Sequence, residues 1–330
     1  MKSVIGVDLG GTKIAAAVVS ARGSLLSTVH RCNTPAKAGR AAMLDAVAEL
    51  VHRTAAEKPA DTDIVGVGIG SAGIIDSTLG TVVSSTDAIV GWAGTDIVSG
   101  LRERLLAAGW PPIEITVEND VDAYALGEAW KGAGKRYSTL LTVAVGTGVG
   151  GAVFLCGSPL RGRHHVVGEI GHMPVPGAEN ERCTCGRYGH LEGIAAGPQI
   201  HRRYLEQGGD PQVPDTRALA VRAAAGDELA QRMFTESAQA LGKALAGVAT
   251  VIDPDAIIIS GGLAQVGQMW WQPLRESFAN DAIDPLRDVP IVAAQLGEKA
   301  PILGAAYSVL ESYSAHVCDE SSNQNGATQQ

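Results

Sequence analysis

The chain has 330 residues, 45% of them hydrophobic, which is enough for one large core or two moderate ones, and at this length two lobes are the better expectation. A net charge of −9 without any basic run argues against a nucleic-acid binder, whose affinity comes mainly from Lys and Arg set against phosphates. Five cysteines, two of them in one turn, argue against a disulfide framework and for a reducing cytoplasm. No apolar run is long enough to span a membrane, and the chain opens into a strand without a signal peptide.

Glycine is abundant, with 41 residues against 3 Phe, 5 Trp and 6 Tyr, which suits the tight turns and close packing of an α/β enzyme. In chain order, residues 3–9 carry a strand signal that breaks at Gly10-Gly11-Thr12, resumes over 13–19, turns at 21–24 and runs again to Cys32. A helix follows over 39–54, a short buried strand over 64–69, a helix over 97–108 and a strand over 115–117. Glu118-Asn119-Asp120 is a turn leading into a helix over 122–130. The strand, glycine turn, strand arrangement then recurs at 139–145, 146–150 and 151–155, so two similarly built lobes are expected. Apolar residues at Ala238, Leu241, Leu245, Val248 and Ile252 mark a long helix, followed by a strand over 255–259 that ends in Ser260-Gly261-Gly262. A last helix covers about 301–313, and the Ser-, Asn- and Gln-rich residues 315–330 have nothing to bury and read as a disordered tail.

Three features carry chemistry. The first is a pair of glycine hairpins, Asp8-Leu9-Gly10-Gly11-Thr12-Lys13 and Gly146-Thr147-Gly148-Val149-Gly150-Gly151. Each sits between two strands, so its amides can reach phosphate oxygens without obstruction, although such a turn can equally be a mere tight connection. Neither is a Walker A loop, which needs Gly-Lys-Ser/Thr opening a helix. The second is Asp120, which is either a helix N-cap or a carboxylate able to take a hydroxyl proton during phosphoryl transfer. The third is the segment from Glu169 to Glu192, where His172, Cys183, Cys185 and His190 could close a tetrahedral zinc site in a loop of small residues. The Cys-x-Cys spacing is not that of a zinc finger, so the residues by themselves leave that ligand set open.

The last segment resembles the zinc loop of the ROK family (repressors, open reading frames and sugar kinases), in which Gly-His precedes a Cys-x-Cys-Gly-x-x-Gly-Cys-x-Glu run. Here His190 replaces the third cysteine. Glu118-Asn119-Asp120 matches the family's motif residue by residue, and the likeness covers nearly the whole chain. It implies a two-lobed α/β fold of the actin and hexokinase superfamily (ribonuclease H-like) with a cleft between the lobes. The expected division is a small lobe over 1–118, onto which a helix at about 301–314 packs back, and a large lobe over 119–300 bearing the zinc loop.

The resemblance also implies roles. Asp120 is the catalytic base. Gly10, Gly11, Thr12, Lys13, Thr147 and Gly148 hold the phosphates of ATP, Asp8 holds Mg2+, and Gly261 and Gly262 receive the adenosine. Asn119, Asp120, Glu169, His172 and Glu192 bind the sugar, with His172 also on zinc, and Gly73 matches a glycine turn of the opposite wall. The zinc is structural, since its four places are filled.

Ser85 and Thr86, ahead of Trp92, either face the sugar or simply end a strand. In the first case they resemble the corresponding piece of N-acetylmannosamine kinases rather than of glucokinases. The expected activity is therefore ATP-dependent phosphorylation of the 6-hydroxyl of a hexose or N-acyl-hexosamine, with N-acetylmannosamine first, glucose second and N-acetylglucosamine third. A homodimer is implied as well. The alternative of another class is a sugar-responsive ROK regulator without catalysis. Those carry a DNA-binding domain ahead of the kinase-like part, whereas here the first phosphate turn begins at residue 8.

Overall fold

A computed structural model of the chain describes residues 1–85 and 89–326, with side chains up to residue 315. The chain divides into two compact units, residues 1–135 with 295–330, and residues 136–294.

The first unit comprises β1 (Lys2–Leu9), β2 (Lys13–Ser20), β3 (His30–Asn33), α1 (Gly39–Ala55), β4 (Asp63–Ser71), β5 (Ile74–Asp76), β6 (Thr81–Ser84), α2 (Ile97–Ala107), β7 (Glu114–Asn119) and α3 (Asp120–Lys131). The second comprises β8 (Leu140–Val145), β9 (Val149–Leu155), β10 (Ser158–Pro159), α4 (Glu192–Ala195), α5 (Gly197–Glu206), α6 (Thr216–Ala224), α7 (Glu228–Ile252), β11 (Ala256–Ser260), α8 (Gln268–Asp281) and β12 (Ile291–Ala293). The chain then returns to the first unit as α9 (Ala300–Gly326). Among the described residues, no helix is long and apolar enough to cross a membrane.

Both units are built on the same five-stranded plan. In the first the strand order is β3-β2-β1-β4-β7, and in the second β10-β9-β8-β11-β12. In each, a central strand pairs antiparallel with the strand that follows its glycine turn and parallel with the strand on its other side. This is the repetition expected from the two strand-turn-strand signals.

Alternation along β1 explains how its sheet is covered on both faces. Ile5, Val7 and Leu9 enter a core shared with Met43, Val47 and Leu50 of α1 and Leu101 of α2, while Val4 enters a core with Ile302, Ala306 and Val309 of α9. Close approach of α9 depends on glycine. A Cβ on Gly68 would stand 1.8 Å from the Ala305 carbonyl oxygen, and one on Gly304 would stand 1.7 Å from that of Ala123 in α3.

Two differences from expectation concern this helix. α3 lies in the first unit, packed on α9, whereas the sequence reading assigned residues 119–300, α3 included, to the large lobe. α9 also runs on to Gly326, past the expected end near 313 and into the segment read as a tail. In the second unit, Trp270 and Trp271 pack in the core, with Trp270 Nε1 donating to Ser237 Oγ of α7 at 3.4 Å and Trp271 Nε1 to the Ala264 carbonyl at 2.9 Å.

Candidate active site

In the first unit the β1–β2 turn is closed by the Gly10 amide donating to the Lys13 carbonyl at 3.1 Å, and is held from outside by the Thr34 hydroxyl on the Gly10 carbonyl at 2.7 Å. Gly11 has open space where a side chain would be, and Thr12 is exposed. Asp8, at the end of β1, is a half-buried carboxyl pushed up to about 6, first by burial and then by the charge of Asp120, against the opposing pull of Lys13. Lys13 Nζ is engaged by Glu298 Oε1 at 2.5 Å, and Glu298 Oε2 also takes Arg31 at 3.1 Å. Sequence reasoning missed Glu298, because its partners lie at the opposite end of the chain and no local pattern links them.

Asp120 is the first residue of α3. The N-cap role that competed with catalysis belongs to its neighbour: Asn119 Oδ1 accepts from the Val121 and Asp122 amides at 2.8 and 3.3 Å. Asn119 Nδ2 in turn donates to the Gly73 carbonyl at 2.7 Å. One side chain thus starts the helix and ties it to the turn after β4. Gly73 has φ +110, and a Cβ there would meet the Ser84 carbonyl oxygen at 2.8 Å and the Ser85 Cβ at 3.5 Å. Gly73, Ser85, Asn119 and Asp120 are therefore brought together, with Asp8 close enough for its charge to be felt. Thr86 lies outside the described residues.

In the second unit the turn over 146–148 is closed by the Gly146 amide on the Gly148 carbonyl at 2.9 Å, and the Gly146 carbonyl receives the Gly197 amide at the start of α5 at 2.8 Å. Thr147 is exposed at its tip. Gly261, at φ +91, passes so close to β8 that a Cβ would lie 2.3 Å from the Val145 carbonyl oxygen, and a Cβ on Gly146 would come within 3.7 Å of the Gly262 nitrogen. The expected phosphate turn and the expected adenosine turn are adjacent.

The Glu169–Glu192 loop packs on the same turn. Glu192 is buried. Its Oε2 accepts the Val149 amide at 3.1 Å, and its Oε1 receives the Thr184 hydroxyl, with Cys183 Sγ at 3.5 Å. Both oxygens are thus used within the protein, which a sugar-binding role read from sequence does not anticipate. Thr184, the residue between the two cysteines, was not singled out.

His172, Cys183, Cys185 and His190 converge, each offering a ligand atom within 4.8 Å of the others. A tetrahedral ion with bonds of about 2.3 Å to sulfur and about 2.0 Å to nitrogen sets neighbouring ligand atoms about 3.5 Å apart. Cys183 Sγ lies 3.5 Å from His172 Nδ1, and Cys185 Sγ lies 3.3 Å from His190 Nδ1. The donor set and its spacing fit zinc. Burial pushes the Cys183 thiol up to about 11, while the Arg187 amide holds Cys185 low, so Cys183 would ligate as a thiolate only with a cation beside it to offset that burial. With Nδ1 turned to the cluster, His172 Nε2 points to Glu169 Oε2 at 3.8 Å. Burial raises the Glu169 carboxyl above its ordinary range and His172 opposes this.

Comparisons with known proteins show the chain's family. The ROK family model matches residues 4–312. A glucokinase of Thermotoga maritima is 33% identical over 323 residues, which is 93% of this chain and 97% of the relative. An N-acetyl-D-glucosamine kinase of Salmonella paratyphi B is 31% identical over 315 residues, 92% of this chain and 97% of the relative. Among solved structures, a ROK family glucokinase from Streptomyces griseus in complex with glucose and AMPPNP superposes with a TM-score of 0.74 at 31% identity, covering 92% of this chain and 98% of the other. The fold is accordingly the actin/hexokinase-like one of the ROK sugar kinases. A family-model match over residues 4–312, together with relatives above 30% identity over nearly the full chain, makes this chain a member of the ROK family.

Proposed function

We propose that the chain moves the γ-phosphoryl group of ATP to the 6-hydroxyl of a hexose or N-acyl-hexosamine, with glucose the preferred acceptor. That it is an ATP-dependent sugar kinase follows from the kinases it matches over nearly their whole length. The choice of sugar is the proposal. N-acetylmannosamine, placed first from sequence, rested on Ser85 and Thr86. Relatives above 30% identity are named for glucose and N-acetyl-D-glucosamine, which moves glucose ahead and N-acetylglucosamine second.

The observation that carries the mechanism is the division of labour at the start of α3. Asn119 caps the Val121 and Asp122 amides and ties the turn to Gly73, while Asp120, the first residue of α3, accepts the Val121 amide through Oδ1 at 2.9 Å, which fixes its carboxylate at the helix start. Asp120 accepts the proton of the sugar hydroxyl as the new O–P bond forms and the bond to ADP breaks, and ADP carries away the leaving electron pair. Asp8 would hold Mg2+, which when bound would offset the charge of the phosphates. Thr12, Lys13 and Thr147, with the amides of both glycine turns, grip the phosphates. For Lys13 this means exchanging its Glu298 partner. Glu169 and His172 meet the sugar hydroxyls, while Glu192 acts from behind by bracing the turn at Val149. His172, Cys183, Cys185 and His190 would hold a structural zinc, which when bound would stiffen this loop and fix the tautomer of His172 without supplying a reacting group. A homodimer completes the reading.

A coupled ADP-release assay with Mg-ATP against glucose, mannose, N-acetylglucosamine and N-acetylmannosamine tests it. Turnover is expected on glucose above the others and lost in Asp120→Ala. Turnover confined to an N-acyl sugar overturns the glucose assignment, and none on any sugar overturns the kinase.

A further inference from the structure

Glu128 is a charged residue with no exposed surface, and the chemistry above makes no use of it. Its Oε1 accepts the Gln295 and Leu296 amides at 2.9 and 2.7 Å, its Oε2 accepts the Ala133 amide at 2.9 Å, and its own carbonyl receives the Gly132 and Gly134 amides at 3.0 and 2.9 Å. Gly132 is required beside it, since a Cβ there would fall 2.0 Å from Glu128 Oε2. Backbone amides are an acceptable home for a buried carboxylate, because each is a fixed dipole aimed at the charge.

What these amides share is their place in the chain. The backbone leaves the first unit after Lys135 and re-enters it at Gln295, and Glu128 holds both passages at their first-unit ends. A second carboxylate holds one of them from the other side. Asp255 Oδ2 accepts the Ser138 and Thr139 amides at 2.9 and 2.8 Å and the Ser138 hydroxyl at 3.1 Å, all within the second unit. On the returning passage the Ala294 amide donates to Ile259 of β11 at 2.9 Å, and the very next amide, Gln295, donates to Glu128. Along the outgoing passage, Arg136 and Tyr137 separate the amides tied to Glu128 or its turn from those tied to Asp255.

We propose that Glu128 and Asp255 clamp the two connections, each carboxylate within its own unit, with Arg136–Tyr137 and the Ala294–Gln295 link between the anchored amides. Glu128 is thereby a positioning residue for Asp120, which lies on the same helix about 12 Å away at 1.5 Å per residue. The role in catalysis rests on the kinase reading. The clamp itself does not.

Hydrogen exchange by mass spectrometry, combined with steady-state kinetics, decides it on the full chain, using Glu128→Ala, Glu128→Gln, Asp255→Asn and, as a control for general destabilisation, Val51→Ala in the core of α1. Glu128→Ala should speed exchange at Ala133, Gln295 and Leu296 by at least about tenfold, as expected when bonds to a charged acceptor are lost. Its kcat should fall several-fold while KM for sugar holds. Glu128→Gln keeps one acceptor oxygen and should release one passage while protecting the other, a readout that survives if the alanine variant does not fold. Asp255→Asn should speed exchange only at Ser138 and Thr139. Unchanged exchange at Gln295 and Leu296 in the Glu128 variants overturns the clamp. A kcat loss no larger than that of Val51→Ala overturns the positioning role. A wild type inactive on every sugar would remove the kinase reading while exchange still decides the clamp.

Discussion

Asp8 illustrates how a single residue can trade stability for chemistry. Its carboxyl is raised from 3.8 to about 6, burial being the largest cause and Asp120 the next. A raised folded-state value means that the folded protein binds the proton more tightly than the unfolded chain. The associated stability is complete below the unfolded value near 4 and is lost as pH rises through about 6. A shift of this size corresponds to at most about 3 kcal/mol. Asp8→Asn should therefore leave the melting temperature nearly unchanged at pH 4 and raise it at pH 7.5, while abolishing phosphoryl transfer. Thermal unfolding at the two pH values checks this, and equal shifts at both would show that the carboxyl is not strained by its surroundings. Glu298 makes a smaller claim at the same scale. Its ion pairs with Lys13 and Arg31 are exposed, so breaking them costs little stability. Glu298→Gln should lower the KM for ATP two- to threefold or so by releasing Lys13 for the phosphates, and a raised KM in steady-state assays would count against that competition.

Among the elements, the Cys/His loop and α3 differ in how far they could be read from sequence. The convergence of His172, Cys183, Cys185 and His190 was legible because the four residues fall within one short segment. Their convergence needs only local turns: the Cys183 amide on the Arg187 carbonyl at 2.8 Å, the Gly186 amide on the Cys183 carbonyl at 2.9 Å, and isolated bridges from Arg182 to Tyr188 and from Pro174 to His190. The start of α3 was legible in the same way, although Asn119 rather than Asp120 turned out to be its cap. The inward orientation of Glu192 was not, since it depends on Val149, whose strand is distant in sequence. If the loop holds zinc as proposed, removing it should expose this dependence. Dialysis against a strong chelator, or His190→Ala, should lower zinc content, measured by elemental analysis, and reduce the melting temperature. Glu192→Ala strands the buried Val149 amide, at a cost of about 1–3 kcal/mol. Because it loosens the turn proposed to hold the phosphates, it should raise KM for ATP more than KM for sugar. The opposite split would return Glu192 to the sugar site.

At the scale of the whole molecule, the repeat of strand, glycine turn and strand gave away two units of one plan, while the boundary between them stayed hidden. Nothing near residue 119 says that α3 belongs with the first unit, because its partner α9 arrives only after the entire second unit has been traversed. The glycines at that crossing are the structural reason. Gly127 in α3 would place a Cβ 2.1 Å from the Ala300 carbonyl oxygen, and Gly304 in α9 would place one 1.7 Å from that of Ala123. Helix propensity alone says that Gly304→Ala should stabilise by about 1 kcal/mol. Packing says the reverse, since the obstructing atom is backbone and cannot rotate away, and forced overpacking costs about 1–3 kcal/mol or more. The expected result is a lower melting temperature together with reduced kcat, because the helix forced to shift is the one that begins with Asp120. Gly11→Ala is the counterpart: nothing lies within 4 Å of its Cβ, so its melting temperature should stay near that of the wild type while ATP binding weakens. Should Gly304→Ala prove as stable as the wild type, the close crossing of α3 and α9 would not be what holds the last helix to the first unit.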